Sequence, residues 1–371
     1  MRKILYMIMA AALVSACQTD DTDLSEFING GGDGITTIHI TYSGSSVSIK
    51  GDSKGYVTTS GADVTVNTGN DTDSLLLVLS GTTTDGSLLV FREKTFGMKL
   101  DGVSIKNNDG PAINNQCHKA LYLEVAEGTT NTLSDGTSYN ENVDYQQKGT
   151  IFSEGQIYFM GTGTLNVTGN CKNAIACDDY IVFDEADVTA TATAGNGIKV
   201  NEGMWIDGGT LNIKTTADGG RGIKCDLAVN ISGGTTTINT SGDCKIETTD
   251  GVADTTSAAG IKCADDFTMT GGTLLIKSTG DGGKGINSDG AVVFKGGTLT
   301  ATTTGSNDLS KPKAVKGEKG ITVSGGEFKA NVSKSWACDN GSESDTPADH
   351  ITVVGSPKTA TITKKSVEII Y

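Results

Sequence analysis

Apolar and polar residues alternate with a period of two over short stretches of this chain. The stretches are separated by glycine-rich breaks and recur about every 23–25 residues between residues 151 and 340. Period-two alternation bounded by such breaks marks short, half-buried strands. The copies align on an Ile position (Ile175, Ile198, Ile223, Ile261, Ile286, Val315), which is followed 12 residues later by a Thr position (Asp187, Thr210, Thr235, Thr273, Thr298, Glu327). From Thr164 onward, the gap from each Thr position to the next Ile position runs 11, 11, 13, 26, 13, 17 and, counted to Trp336, 9 residues. One half of each coil is therefore rigid, and a single corner absorbs the length variation.

Two apolar columns precede the Thr position. Met160, Phe183, Ile206, Ile231, Met269, Phe294 and Val323 stand four residues before it, and Tyr158, Ile181, Met204, Val229, Phe267, Val292 and Ile321 six before. Two more follow it, beginning at Leu165 and Val167. All four columns are predicted to point inward, with Phe159 and Trp205 outward and Trp336 in the core. Self-similarity at this period, three strands per coil and no helical period predict an all-β, single-stranded right-handed parallel β-helix. Residues 35–150 read as less regular first coils and a cap, residues 151–340 as the regular coils, and residues 341–371 as the closing cap of one 35–371 domain. A cap is expected because an open end coil would present an unpaired edge.

The first residues carry an address. Arg2-Lys3 precede an apolar run from Ile4 to Val14 that ends in Val14-Ser15-Ala16-Cys17. That run is too short for a permanent span and reads as a signal peptide over residues 1–16. The four-residue ending resembles a bacterial lipobox, which implies a lipid on Cys17 and a membrane anchor. Residues 17–34 read as an acidic tether, and acid just after the lipidated cysteine resembles a surface-export signal. The expected place is the outer membrane, exposed at the cell surface.

Seven cysteines follow Cys17. Cys177, Cys225, Cys263 and Cys338 share a column two residues after the Ile position and are expected to be reduced core residues. The residue just after the Ile faces out: Ala176, Lys199, Lys224, Lys262, Asn287, Lys316. This column reads either as a solubilising charge ladder or as a polar groove whose lysines meet uronate carboxylates. The candidate ligand residues are Lys199, Lys224, Lys262, Asp226 and Trp205, the last as a stacking platform.

The variable corner precedes this strand and is acidic. Its longest loop runs from Ser241 to Ala259 with Asp243, Glu247, Asp250 and Asp254, and neighbouring coils bring Asp218 and Asp281. Together with Asp226, Asp265, Asp266 and Asp289 these acids are expected to gather in one patch able to supply the six to eight oxygens of a Ca²⁺ site. The net charge of −15 fits a cation and argues against a nucleic-acid partner.

The run Gly260-Ile261-Lys262-Cys263-Ala264-Asp265-Asp266-Phe267-Thr268-Met269-Thr270-Gly271-Gly272-Thr273 resembles the carbohydrate-binding β-helix family of bacterial surface and secreted proteins. Leu77–Thr82, Gly128–Gly136 and Gly161–Leu165 extend the resemblance over most of residues 35–371. The family's usual Gly-Asp-Gly-Ile-Lys-Ser-Asp-Asp is altered here to Asp218-Gly219-Gly220-Arg221-Gly222-Ile223-Lys224-Cys225-Asp226. The resemblance implies a pectate-lyase-like fold, bound Ca²⁺ and a plant-wall-type or acidic polysaccharide ligand. The expected function is binding without turnover. One alternative is a calcium-dependent polysaccharide lyase with a Lys base, against which carboxylate neighbours would hold lysine pKa values up. Another is a structural adhesin or complex subunit. No protein partner or oligomeric state is indicated.

Overall fold

In the computed structural model, residues 34–371 are described except 250 and 307. The proposed signal peptide, Cys17 and most of the tether lie outside the described residues, as does Asp250. The rest forms a β-solenoid of three faces. Twelve strands make one sheet, parallel from Asp63–Asn67 through Ile175's strand Asn173–Cys177 to Cys338–Asp339, with Val57–Ser60 added antiparallel at its first edge; we call it the first face. A larger sheet wraps the other two sides. Short strands such as Ile181–Phe183 and Met204–Ile206 form the second face, and six-residue strands such as Thr210–Thr215 form the third.

Register is kept rung by rung. On the first face Leu88, Ile113, Ile151, Ile175, Ile198, Ile223, Ile261, Ile286 and Val315 stack in one inward column, each fully buried. Burial of each such side chain contributes about 1.5–3 kcal/mol, and stacking like on like lets every coil use the same shape. The corner between the second and third faces is a Gly-Gly turn. At Gly272 φ is +74° and an added Cβ would meet the Gly233 oxygen at 2.4 Å, so the turn is open only to glycine.

Two assignments shift by register. Ile157 and Phe159, not Tyr158 and Met160, pair with Ile181 and Phe183, and Phe159 is buried and stacked on Phe183 at 4.6 Å. The cause is one extra residue in the Gly161-Thr162-Gly163 turn, five steps from Phe159 to Thr164 where Phe183 to Asp187 takes four. Tyr158 therefore faces out. At the far end Cys338 pairs with Val315 and so holds the Ile position itself. The last gap is 11 residues (327 to 338), and Trp336 lies in the corner, half-exposed, stacked on His350 at 4.1 Å with Lys364 Nζ 4.5 Å from its ring.

The ends are covered by antiparallel pairs. Ile35–Ser43 pairs with Ser46–Lys50 at one end. At the other, Ser366–Ile370 runs antiparallel to both Glu327–Val332 and Thr359–Ile362. The described cysteines are free thiols, and the Cys column has a definite task. Cys177 Sγ donates to the Gly155 oxygen at 3.2 Å and Cys225 Sγ to the Glu202 oxygen at 2.8 Å, each on the preceding coil, as Ser288 Oγ does to the Asp265 oxygen at 2.7 Å. A small side chain with a weak donor thus adds a bond to a corner carbonyl, a second one at Gly155, which also accepts from Ser153 Oγ, and at Glu202, which also accepts the Leu227 N–H.

Candidate functional site

The outer surface of the first face is built from two columns. Lys199, Lys224, Lys262, Asn287 and Lys316 are in direct register, one rung apart. The second column was not foreseen: Arg221, Ala259, Lys284 and Lys313, two residues before the Ile position, are also in register. Strict alternation would turn these inward. They face out because the intervening residue is small and inward: a Cβ on Gly222 would meet Ile238 Cγ2 at 2.3 Å, so two successive positions use the inner side. The small residue at that position (Gly222, Gly260, Gly285, Ala314) is the signal that could have revealed the column. Seven cations thus converge on one face of an acidic chain.

Most are already paired. Lys262 bonds Asp289, Lys316 bonds Glu318 at 2.5 Å, Lys313 bonds Asp339 at 2.5 Å, and Lys224 lies 3.6 Å from Asp226. Lys199 has no ion pair or hydrogen bond among the described residues. Two buried polar atoms beside the columns, Arg221 Nε and Asn287 Oδ1, also lack partners there. Lys284 is almost fully buried, its ammonium donating to Ser257 Oγ and Ser310 Oγ. Burial, then the charges of Lys316, Lys313 and Lys262, pushes its pKa down to about 8.

Walls limit where a ligand can lie. Residues 136–148 fold over the earlier rungs, so the outward residues Asn114, Phe152 and Ala176 are buried. Asn114 Nδ2 donates to the Gln146 oxygen at 3.0 Å, and Lys148 Nζ stands 5.4 Å from the Phe152 ring. The open stretch starts at Lys199. Beside it, the 26-residue gap forms an antiparallel hairpin, Lys245–Thr249 with Val252–Thr256, whose Glu247 acts on Arg221.

The acidic residues separate into two rows rather than one patch. Asp218, Asp243 and Asp281 stack on consecutive rungs of the variable corner, and each Oδ1 accepts the N–H of the next rung (Asp243, Asp281, Ser306) at 2.7–2.9 Å. Asp226, Asp265, Asp266 and Asp289 line the opposite corner, across a five-residue strand of about 16 Å. There Asp266 Oδ1 accepts from the Ala291 N–H at 2.7 Å and Asp265 is 4.0 Å from Lys319. Among the described residues no three Asp, Glu, His or Cys groups converge as one metal site. A Ca²⁺ ion on either row would need oxygens beyond these carboxylates.

A family model described as carbohydrate-binding domain-containing protein matches residues 60–226 and 219–309. The chain belongs to this carbohydrate-binding domain family. A family protein carrying the same description, from Acetivibrio thermocellus, is 31% identical over 121 residues, covering 32% of this chain. The chain spans about two fifths (42%) of that relative's length. In fold it is similar to a solved polysaccharide lyase-like protein from C. thermocellum, a gadolinium derivative, with a TM-score of 0.57 and 24% identity over 70% of this chain and 96% of the other. That likeness concerns fold.

Trp205, the remaining candidate, is elsewhere. It faces out from the second face and packs edge-on to Tyr180 at 5.6 Å, across a corner from the lysines.

Proposed function

We propose that this carbohydrate-binding protein holds an acidic polysaccharide along the open stretch of its first face, with Lys199 as the carboxylate contact and without turnover. The observation that carries the reading is the state of the Lys199 column: its other lysines, Lys224, Lys262 and Lys316, are already paired with Asp or Glu, and Lys199 is not. Successive rungs about 4.8 Å apart repeat at a spacing comparable with an extended sugar chain, so neighbouring residues of the ligand meet equivalent groups.

Calcium enters this proposal as an ion shared with uronate carboxylates, since each rung of the Asp218–Asp243–Asp281 row commits one oxygen to a backbone N–H and keeps the other. The same proposal places the chain on the cell surface through a lipid on Cys17, supported by Val14-Ser15-Ala16-Cys17 and the acid after it. The test is affinity electrophoresis in gels containing polygalacturonate, with calcium or with chelator. Retardation is expected with calcium, weaker by about five- to tenfold in Lys199→Ala, a loss on the order of 1 kcal/mol. Unretarded wild-type protein, or Lys199→Ala that behaves as wild type, overturns the site. Steady formation of unsaturated product from polygalacturonate overturns binding without turnover.

A further inference from the structure

The second face carries a feature the first-face reading does not use. Tyr122, Tyr158, Val182 and Trp205 occupy one outward column in direct register. Val182 would leave a gap between the rings, and Tyr180, from the corner before it, fills that gap. Its ring lies 5.8 Å from Tyr158 and 5.6 Å from Trp205, and its hydroxyl meets that of Tyr158 at 2.5 Å. Tyr122 and Tyr158 are 4.9 Å apart. All four rings are half-exposed.

The fold does not require aromatic residues there. On the following rungs the same column holds Asn230, Thr268, Val293 and Thr322, which keep the strand pairing equally well. Backbone has also been shaped around the indole. A Cβ on Gly203 would come 2.4 Å from the Trp205 ring, so the indole packs against a glycine that gives it room. Acceptors for hydroxyl groups stand at the edge: Asp179 and Glu202 are on adjacent rungs of the corner leading into the strip. Burial and the nearby Glu202 push the Asp179 carboxyl up to about 7. Ring faces for apolar C–H surfaces, edged by carboxyls for hydroxyls, are the complement of an uncharged sugar ring.

We propose that Tyr122, Tyr158, Tyr180 and Trp205 form a second glycan site, which stacks on an uncharged, extended pyranose chain lying along the rod axis. The chain is in line with the rungs, so rings one and two coils apart meet successive sugars. The site is separate from the first face and does not depend on Lys199.

The experiment follows tryptophan emission in Trp336→Phe protein, which leaves Trp205 as the reporter, during titration with cellohexaose, xylohexaose and mannohexaose. At least one hexaose is expected to shift the emission. Calorimetry is expected to show about tenfold weaker binding in Tyr158→Ala and Gly203→Ala and unchanged binding in Lys199→Ala. Circular dichroism of each variant reports whether the coils remain folded, and Tyr158→Phe, which keeps the ring, is expected to retain binding. Absence of any response to the three sugars, or equal affinity in Tyr158→Ala, overturns the proposal. So does a dimer in sedimentation that Trp205→Ala dissociates, because the strip would then be a contact between two copies. Loss of polygalacturonate retardation in Lys199→Ala leaves the strip untouched, so the two readings fail separately.

Discussion

Lys284 offers a quantitative check on the cationic face. Its pKa is lowered from 10.5 to about 8, mainly by burial. A base with a depressed folded pKa penalises the fold when protonated: the penalty is absent above the unfolded value, grows as pH falls from 10.5 to 8, and is complete below 8. The 2.5-unit difference (10.5 − 8) corresponds to about 3 kcal/mol at pH 7. At pH 10 about 1 kcal/mol of that remains, because the unfolded amine is still mostly charged. Replacing Lys284 by Met removes the titration and keeps the bulk of the stem. Groups common to both proteins cancel, so the stability of Lys284→Met relative to wild type should fall by about 2–3 kcal/mol between pH 7 and pH 10. The lost hydrogen bonds to Ser257 and Ser310, worth about 1 kcal/mol each, offset part of the gain at pH 7 but do not alter its pH dependence. Urea titrations at pH 7, 8.5 and 10 measure it. A difference between the two proteins that stays flat across this range refutes the reasoning.

Two further outcomes are expected. Thr215, Thr240, Ser278 and Thr303 form an inward column whose hydroxyls lack partners, and it ends in Val332. Thr240→Val should therefore stabilise the chain by about 1 kcal/mol in denaturant titration, and a loss of stability would show that the hydroxyl is satisfied. Among the thiols, Cys171 is half-buried, whereas burial raises Cys225 to about 12 and Cys263 to about 11. Mass-spectrometric mapping of native alkylation should find Cys171 modified well before Cys225 or Cys263; equal rates would contradict the packing.

The sequence carried the coil because inward and outward positions alternate, and a one-residue slip exchanges them. The Ile-to-Thr stretch has constant length, so its columns could be counted. Where a turn gains a residue the count fails, as at Gly161-Thr162-Gly163, which exchanged Phe159 with Tyr158 and hid the aromatic strip. Arg221, Lys284 and Lys313 were missed for a related reason: Gly222 and its equivalents break the alternation locally. The acids misled by nearness along the chain. Asp218 and Asp226 are eight residues apart in sequence (218 to 226), but a strand runs between them, so they belong to opposite corners. Tyr180 sits in a corner and Tyr122 in an irregular coil, where no period marks them.

The distribution of charge over the three faces explains why one lysine matters more than the rest. A chain with a net charge of −15 repels an acidic polysaccharide at long range, so attraction must be local. Cations on the first face create it, but stacked like charges one rung apart repel one another, and Asp289, Glu318, Asp339 and Asp226 relieve that strain by pairing with Lys262, Lys316, Lys313 and Lys224. The relief also removes those lysines as strong anion sites, since a ligand carboxylate must displace an existing partner. Lys199 escapes this because the rung before it carries Ala176 in its column, and the nearest acid on that rung, Asp178, is already held by Lys148 and Asn201. The same rung is where residues 136–148 stop covering the face. Free charge and open surface therefore coincide at one position, which sets the end of the groove at which an acidic sugar is expected to be held most tightly.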